Sequence, residues 1–249
     1  MQRTTSISIT IPAYNEEANI GRCLESVLKE IKNNSYEAEI IVVNNASTDK
    51  TKEVSLSFPR VRVVDETKKG IVFARQAGFL ASKGDLIANI DADNIMPNGW
   101  LEKVFTEFAN NPNLAALSGP CVFYDLPWWI KIQTKFFYGL GYLIYIFSEI
   151  VFKKGAMLQG GNFIVRRTAL EKINGFDTSI SFYGEDTDIA RRIRRIGPVK
   201  FTFRLPILSS GRRLAKEGAF TTGYRYALNF FWILVFKRPF TKGYKDIRG

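Results

Sequence analysis

The chain has 249 residues, and 46% of them are hydrophobic, which is enough for one large α/β domain with a sizeable buried core. Lysine and arginine number 35 against 24 aspartates and glutamates, so the net charge is +11 and a polyanionic partner is expected, such as nucleic acid, anionic lipid or a phosphorylated substrate. Because the sequence has no histidine, any acid–base chemistry falls to carboxylates, and the commonest metal ligand is excluded.

The cysteines and the N-terminal residues bear on the cellular compartment. Cys23 and Cys121 lie far apart, without the spacing of a metal or redox motif, so both are predicted to be buried thiols in a reducing environment. Residues 1–5 precede the first predicted strand and contain no apolar leader, so no signal peptide is expected. These features predict a cytoplasmic protein.

Strand and helix patterns alternate along the first half of the chain. Apolar, β-branched runs predict strands at 6–11, 39–43, 61–64, 86–90 and 114–118. Helical periodicity between them predicts helices at 16–31, 50–58, 70–82 and 97–110. The continuous apolar run at 39–43 is typical of a parallel strand covered on both faces. Alternation of this kind predicts a doubly wound, mostly parallel sheet with helices on both faces.

Aromatic residues are concentrated between positions 126 and 152, among leucine and isoleucine. The uninterrupted apolar run at 136–147 is too short for a membrane span, which needs about 20 residues. The lysines that flank the aromatic residues are Lys131, Lys135, Lys153 and Lys154. An aromatic helix with such flanks is suited to a membrane interface, and the alternatives are a core helix and an oligomer contact.

The last third of the chain is predicted to contain shorter elements and a second aromatic helix. The predicted elements are a strand at 159–165, helices at 167–173 and 186–196, a strand at 199–203, a basic loop at 209–213 and a helix at 217–236 that ends in Lys237-Arg238-Pro239. In the helix at 186–196, the isoleucines Ile189, Ile193 and Ile196 are predicted to face inward, and the arginines Arg191, Arg192, Arg194 and Arg195 outward.

Two carboxylates, Asp91 and Asp93, follow the strand at 86–90. Side chains separated by one residue on a strand share a face, so both carboxylates can point at one object. Two close carboxylates repel each other unless a cation lies between them, and magnesium or manganese is the cation that carboxylates and substrate phosphates hold together. The pair therefore predicts a divalent metal site, whereas the alternative is an ordinary turn rich in Asp and Asn.

Three further polar segments are predicted near the same edge of the sheet. The segment 12–16 follows the first strand and contains Tyr14, which can stack on a base. Asn44 and Asn45 follow the second strand and can read a base edge, and the pair at 185–186 supplies carboxylates at the start of a helix. Because open α/β sheets bind ligands beyond the carboxyl ends of their strands, these segments predict one shared site.

An ordered set of short motifs resembles a known family. The motifs are Ile11-Pro12-Ala13-Tyr14-Asn15-Glu16-Glu17, Asn45-Ala46-Ser47-Thr48-Asp49, Lys69-Gly70 with Ala74-Arg75 and Gly78, Ala81-Ser82-Lys83-Gly84-Asp85 running into Asp91-Ala92-Asp93, Gly160-Gly161-Asn162-Phe163, Gly175-Phe176-Asp177 and Gly184-Glu185-Asp186. Each motif is weak alone, but their order over residues 6–196 resembles the inverting glycosyltransferases of family 2. The resemblance implies the GT-A fold, in which a nucleotide-binding α/β half is joined to an acceptor-binding half.

The resemblance also implies roles for individual residues. The implied nucleotide- and donor-binding residues are Pro12, Ala13, Tyr14, Glu16, Asn44, Asn45, Lys69, Gly70, Arg75, Asp91, Ala92, Gly160, Gly161, Asn162, Arg212 and Arg213. Asp93, with Asp91, would bind magnesium or manganese, and Asp186 would be the general base beside a second carboxylate, Glu185. The family usually has Asp where Asn44 stands, so the identity of the base stays open. Arg212 and Arg213 would grip the diphosphate, or else belong to a solvated basic loop.

The reaction that the resemblance implies is a single displacement. A sugar leaves a nucleoside diphosphate while an acceptor hydroxyl attacks the anomeric carbon from the opposite face, which inverts the configuration. The metal neutralises charge on the diphosphate, and a carboxylate takes the hydroxyl proton. Glu185 and Asp186 also favour the positive end of their helix, which is compatible with catalysis.

The aromatic helices and the basic surplus predict a peripheral protein on the anionic inner face of the cell membrane. The acceptor is then expected to be lipid-linked or a cell-envelope glycan. A polyprenyl-phosphate acceptor remains an alternative, but it would already be ionised and would need no base, so Glu185 and Asp186 favour a hydroxyl.

Three other classes of protein fit the sequence less well than a glycosyltransferase does. A non-catalytic nucleotide-sugar-binding module would have no use for Asp186. A nucleic-acid-binding protein is disfavoured because the aromatic residues are predicted to lie among Leu and Ile, away from the arginine-rich helix. A nucleotidyltransferase would have a Gly-rich basic loop after the first strand, which the segment 12–16 is not.

Four segments are predicted along the chain. Residues 1–124 form the nucleotide-sugar-binding half, and residues 125–156 form the aromatic interfacial segment. Residues 157–205 form the acceptor-binding and catalytic half of the same domain, and residues 206–249 form the basic loop and the C-terminal aromatic helix.

Overall fold

The computed structural model describes residues 5–34, 36–152, 155–180, 182–236 and 238–241. The flanking lysines Lys153, Lys154 and Lys237 lie outside the described residues. The strands are β1 (Ile7–Ala13), β2 (Ala38–Asn45), β3 (Val61–Glu66), β4 (Leu86–Ile90), β5 (Ala116–Ser118), β6 (Cys121–Phe123), β7 (Asn162–Arg166), β8 (Val199–Phe201) and β9 (Ile207–Ser209). The helices are α1 (Ile20–Asn34), α2 (Thr51–Leu56), α3 (Ile71–Ala81), α4 (Trp100–Asn110), α5 (Trp128–Phe152), α6 (Arg167–Lys172), α7 (Glu185–Ile193), α8 (Arg212–Glu217) and α9 (Ala219–Phe236).

The central sheet has seven strands in the order β3-β2-β1-β4-β7-β5-β8. The first four run parallel, and β5 is parallel to β8, whereas β7 is antiparallel to both β4 and β5. The predicted doubly wound, mostly parallel sheet is therefore confirmed. This sheet takes strands from both the 1–124 and the 157–205 segments, and β6 pairs with β9 in a second, two-stranded sheet.

Apolar residues of the parallel strands alternate between two layers. In β2, Ile40 and Val42 pack in the layer that contains α1 and α4, whereas Ile41 and Val43 pack against Ala74 of α3. Because side chains alternate along a strand, helices on both faces require apolar residues at every position. This requirement explains the uninterrupted apolar run of β2.

The antiparallel strand β7 brings two distant loops together. Its register pairs Asn162 with Ile90, so the residues just before β7 lie beside those just after β4. Gly161 has a φ of +77°, and a Cβ at this position would collide with the Asp91 carboxylate. Glycine is therefore required here by both conformation and space.

Several element ends differ from the predictions. β1 continues through Pro12 and Ala13, because β2 pairs with it as far as Asn44. α1 begins at Ile20, because the preceding residues form a turn in which Glu16 O accepts two backbone hydrogen bonds. The predicted basic loop at 209–213 is instead the end of β9 and the start of α8. Such ends depend on tertiary pairing, which local patterns do not contain.

The aromatic segment forms one helix, α5, with a strongly exposed apolar face. Trp128, Phe136 and Ile150 are each about 70% exposed. None of the helices in the described ranges is both long and apolar enough to cross a bilayer. Contiguous exposed apolar surface of this kind usually contacts another molecule or a membrane.

The predicted inward and outward faces of the arginine-rich helix α7 are only partly correct. Ile189 and Ile193 are buried, as predicted, but Ile196 is 39% exposed because α7 ends at Ile193. Arg191 and Arg192 do not point freely outward, because both form ion pairs with Asp188, which is only 2% exposed.

Candidate active site

A cleft of about 1060 Å³ opens at the carboxyl ends of β1, β2 and β4 and continues between α5, α7 and α9. The predicted site residues that line it are Pro12, Ala13, Tyr14, Asn45, Lys69, Gly70, Arg75, Asp91, Asp93, Gly160, Glu185, Asp186, Arg212 and Arg213. Residues from both ends of the chain, from Pro12 to Arg213, therefore meet in one concave site, at the edge where α/β sheets bind ligands.

One end of the cleft has an aromatic ring next to a cation. The Nζ atom of Lys69 lies 3.9 Å from the centroid of the Tyr14 ring. Asn45 orders the segment that carries Lys69, because its amide donates to the carbonyls of Glu66 and Lys68 and accepts a hydrogen bond from Gly70 N at 2.8 Å. Asn45 thus positions the segment by hydrogen bonds, in addition to lining the cleft.

Five predicted site residues do not line the cleft: Glu16, Asn44, Ala92, Gly161 and Asn162. Asn44 donates to Asp65 on β3 at 2.8 Å, and Ala92 is in the hydrophobic core. Asn162 is fully buried and donates to the carbonyls of Pro120 and Leu205. Asn44 and Asn162 therefore act on the structure around the cleft rather than on its surface.

Asp91 and Asp93 lie in a turn rather than on the strand. Asn94 N donates to Asp91 O at 3.0 Å, which closes the turn after β4. The strand alternation used to place the two carboxylates on one face therefore does not apply, yet both line the cleft. The turn therefore brings both carboxylates to the cleft, as strand geometry was expected to do.

A buried arginine joins two of the predicted carboxylates. Arg75, only 2% exposed, bonds to Glu185, and its Nη2 lies 3.2 Å from Asp91 Oδ1. Burial opposes the charge of Arg75, but Glu185 and Asp91 outweigh it and raise the pKa of the guanidinium. Arg75 is therefore permanently charged and ties α3, α7 and the turn after β4 together.

The two carboxylates at the start of α7 are held differently. Burial raises the pKa of Glu185 to about 7, although Arg75 counteracts part of this effect. Burial likewise raises the pKa of Asp186, while the charge of Arg75 and hydrogen bonds from the backbone N–H groups of Thr187 (2.8 Å) and Gly160 (3.4 Å) oppose the rise. A carboxylate with a raised pKa is a stronger base than one in water.

A second arginine, from the C-terminal part of the chain, contacts the predicted metal ligand. The Nη2 atom of Arg212 lies 3.0 Å from Asp93 Oδ2 and also forms an ion pair with Glu16, whose side chain is 1% exposed. Glu16 therefore contacts the site through Arg212. Nearby, Arg213 pairs with Glu217 at 2.8 Å and lies over the ring of Phe182.

The donor set fits a hard divalent cation that is also held by phosphates. No group of three or more acidic, histidine or cysteine side chains in the described ranges is arranged to hold a metal. The chain does supply two carboxylates, Asp91 and Asp93, on the wall of the cleft. Magnesium is commonly bound by one or two carboxylates, with water and phosphate oxygens completing its shell. Because Arg212 contacts Asp93, a cation there would share or replace this contact.

Replacing Arg212 with methionine is expected to increase the affinity of the ligand-free protein for Mn²⁺ by about tenfold, because it removes one charge-assisted contact that competes with the cation for Asp93. Isothermal titration calorimetry with Mn²⁺ alone measures this. Arg225→Met is the matched control, since Arg225 pairs with Glu217 and does not line the cleft. Equal Mn²⁺ affinities of Arg212→Met and the wild type would contradict the competition.

The cleft also contains residues that were not predicted as site residues. Helix α5 contributes Gln133, Phe137 and Tyr138, and α9 contributes Tyr226. The assumption that the aromatic helices lie away from the arginine-rich helix is wrong, because Arg191 and Arg195 line the same cleft. The exclusion of nucleic acid therefore does not follow from such a separation. The four-residue spacing from Thr187 to Arg191 and Arg195 was the signal that could have identified one cleft-facing side of α7.

Residues 8–174 match the family model described as glycosyl transferase family 2. Residues 152–206 match a model described as the N-terminal domain of galactosyltransferase. Because the first match covers more than half of the chain, the chain belongs to glycosyl transferase family 2, and the resemblance read from the ordered motifs is confirmed.

Curated relatives are longer than this chain. The probable glycosyltransferase YdaM of Bacillus subtilis is 28% identical over 214 residues, which are 79% of this chain and 48% of YdaM. The glycosyltransferase AglE of Haloferax volcanii is 33% identical over 102 residues, which are 39% of this chain and 33% of AglE. Each match thus spans about half, or less, of the relative's length.

Two solved structures are similar in fold. Mannosyltransferase PcManGT from Pyrobaculum calidifontis, in complex with GDP-Man and Mn²⁺, has a TM-score of 0.62 and 22% identity, covering 84% of this chain and 58% of its own. Glucosyl-3-phosphoglycerate synthase from Mycobacterium tuberculosis, in complex with Mn²⁺, UDP-Glc and phosphoglyceric acid, has a TM-score of 0.60 and 19% identity, covering 91% of this chain and 79% of its own. These likenesses confirm the predicted GT-A fold.

Proposed function

We propose that this protein transfers a sugar from a nucleoside diphosphate-sugar to a hydroxyl of a lipid-linked or cell-envelope glycan, with inversion and with the help of a divalent metal. The observation that supports it most is the meeting of two carboxylate sets in one cleft: Asp91 and Asp93 after β4, and Glu185 and Asp186 at the start of α7. Family membership and the Mn²⁺ and nucleotide-sugar complexes of the two similar structures are consistent with this chemistry.

The donor is proposed to lie along the carboxyl edge of β1, β2 and β4. Tyr14 offers a ring for stacking on the base, and Lys69 next to it brings a positive charge towards the phosphates. Arg212 and Arg213 extend this positive charge on the other wall. Guanidinium groups match phosphate geometry in two-point contacts, so Arg212 is proposed to exchange Asp93 for the diphosphate when a donor binds.

Asp91 and Asp93 are the residues proposed to hold the metal. A bound divalent ion would neutralise the charge that develops on the departing diphosphate. Arg75 keeps Asp91 oriented by a 3.2 Å ion pair. Gly161 allows the Asp91 side chain to pack against the backbone before β7.

Asp186 is proposed as the general base that takes the proton of the acceptor hydroxyl. Two backbone N–H groups fix its carboxylate, whereas Glu185 is engaged by Arg75. Glu185 is therefore proposed to position the site and to raise the basicity of its neighbour through like-charge repulsion. One displacement with the base on the acceptor side gives inversion.

The exposed apolar face of α5 supports a peripheral position on an anionic membrane, where lipid-linked acceptors reside. Transfer to polyprenyl phosphate is the alternative acceptor chemistry. A relative of that type, the dolichyl-phosphate beta-glucosyltransferase ALG5A of Trichomonas vaginalis, is 37% identical over 97 residues, which are 35% of this chain and 30% of ALG5A. Two buried carboxylates next to the reacting group favour a hydroxyl, since an ionised phosphate needs no base and would be repelled.

Calorimetric titration with UDP, GDP, dTDP and CMP, each with and without Mn²⁺, tests the proposal. We expect one nucleoside diphosphate to bind with a Mn²⁺ requirement that is lost in Asp93→Ala, because Asp93 would share the cation with the phosphates. Asp177→Ala is the matched control, since Asp177 is exposed and does not line the cleft. If no nucleotide binds under any condition, the glycosyltransferase proposal fails.

A further inference from the structure

We propose that Arg191 and Arg195 form the binding site for the phosphate group of a lipid-linked acceptor, in the arm of the cleft between α5 and α7. This inference rests on the proposed function, because it assigns the acceptor to the same cleft as the candidate base. It adds the chemical class of the acceptor, a phosphate ester with a long apolar chain, and the residues that recognise it.

The position of the arginines follows from helix geometry. Thr187, Arg191 and Arg195 are four residues apart, so they lie along one side of α7 and its C-terminal turn, and all three line the cleft. Arg191 is five residues beyond Asp186, which corresponds to about 7.5 Å of rise along the helix. Asp186 and Arg191 line the same cleft, so one acceptor can contact both residues.

The arginines near the end of α7 outnumber the carboxylates that form ion pairs with them. Asp188 alone pairs with both Arg191 and Arg192, each at 2.7 Å, and Glu149 pairs with Arg194 at 3.0 Å. No carboxylate of the described ranges forms an ion pair with Arg195. The guanidinium of Arg195 therefore remains for a ligand beside Arg191, and an excess of positive charge in a cleft attracts an anion.

An orphaned polar atom points to the same ligand chemistry. The Nε atom of Arg191 is buried and has no hydrogen-bond partner among the described residues. Buried donors without partners are rare and costly in folded proteins. A phosphate in the arm would supply acceptor oxygens near this guanidinium, and guanidinium–phosphate contacts are among the stronger hydrogen bonds.

The opposite wall of the arm is apolar and leads out of the protein. Ile144 on α5 and Ala227 and Phe230 on α9 line the cleft. Phe137 and Leu140 line the cleft too, yet are 39% and 48% exposed, so they connect it to the exposed apolar face of α5. A water-soluble phosphosugar has no apolar chain that could pack along this path. The combination of an anion site with an apolar path commits the site to a lipid phosphate.

Binding of farnesyl phosphate tests the site without turnover, donor or metal. Calorimetry should show that farnesyl phosphate binds the wild type at least about tenfold more tightly than inorganic phosphate or farnesol does, since each of these carries only one of the two features. Arg195→Gln, at an exposed position, and Arg191→Gln/Arg195→Gln should weaken farnesyl phosphate binding by about tenfold or more. Arg225→Gln, outside the cleft, should leave it unchanged.

Two controls are needed. One shows that farnesyl phosphate does not bind at the nucleotide site, and the other shows that each variant is folded. The titration is repeated with the nucleoside diphosphate that the wild type binds present at saturation, and farnesyl phosphate should still bind. Each variant should retain the wild-type nucleotide affinity, which shows that its fold is intact.

The inference is overturned if both arginine variants bind farnesyl phosphate as the wild type does, if inorganic phosphate binds equally well, or if the bound nucleotide displaces the lipid phosphate. Nucleotide binding without farnesyl phosphate binding would overturn this site and leave the glycosyltransferase proposal intact. Farnesyl phosphate binding without nucleotide binding would support this lipid-phosphate site and overturn the glycosyltransferase proposal.

Discussion

Replacing Asp186 with asparagine is expected to lower the turnover of sugar transfer by about 10²–10⁴-fold, the usual contribution of a positioned general base. Donor affinity should change little, because Asn keeps an oxygen that can accept a hydrogen bond from the backbone N–H groups of Gly160 or Thr187 that contact Asp186. Single-turnover assays with a radiolabelled nucleotide-sugar, together with calorimetric donor titrations, measure the two quantities separately. Asp177→Asn, at an exposed position outside the cleft, is the matched control.

Glu185→Gln distinguishes the two neighbouring carboxylates. If Asp186 is the base, activity should persist in Glu185→Gln, and its rise with pH should begin at lower pH, because removing a like charge lowers the pKa of Asp186. In the wild type, activity should fall as the pH drops and the buried pair takes up a proton. Full activity in Asp186→Asn together with inactivity in Glu185→Gln would reverse the assignment.

Replacing Arg75 with methionine is expected to lower the free energy of unfolding by about 3–5 kcal/mol, the usual cost of removing one partner from a buried ion pair. Arg75 is 2% exposed and Glu185 10%, so the remaining carboxylate would be buried without a counter-charge. Urea denaturation followed by circular dichroism measures the change. Lys52→Met, which removes an exposed ion pair with Asp65, should cost no more than about 1 kcal/mol.

The loss of unfolding free energy caused by Arg75→Met should be smallest at acidic pH and should grow as the pH rises. Burial raises the pKa of Glu185 in the folded wild type to about 7, so the fold favours the protonated form and its stability falls as the pH rises from the ordinary value of 4.5 towards 7. Without Arg75 the pKa should be higher still, so the fall continues above pH 7. The variant should therefore lose least at acidic pH, where the carboxyl is neutral in both states.

A double variant provides the internal check for Arg75. Arg75→Met/Glu185→Gln should recover much of the stability at neutral and alkaline pH, because it removes the buried charge that Arg75 compensates. If the unfolding curves of Arg75→Met and Lys52→Met coincide, or if the double variant is no more stable than Arg75→Met, the ion pair does not stabilise the fold as proposed.

The sequence by itself determined the class of the fold and the family. The strand at 86–90 is present with the predicted bounds, and residues 40–43 of the run predicted at 39–43 are buried in the parallel strand β2. Such patterns are readable because periodicity depends on residues that are neighbours in sequence. The ordered motifs from Ile11 to Asp186 likewise needed no knowledge of contacts, since each motif is a short local segment.

Element ends and the direction of side chains were less predictable. Asn44 and Asn45 were expected in a loop but end β2, because pairing with β3 extends the strand. Asp91 and Asp93 were expected on a strand but lie in a turn. The end of β2 depends on pairing with a strand elsewhere in the sequence, whereas the turn after β4 is closed by a hydrogen bond between neighbouring residues.

Only the tertiary structure decided which charges meet. Arg75 reaches a carboxylate 110 residues away, and Arg212 reaches Glu16 across 196 residues. The same holds for the cleft between α5 and α7, whose facing sides come from helices that the sequence suggested were apart. The physical reason is that an ion pair or a shared cavity depends on distances in space, which the path of the sheet sets and local sequence does not.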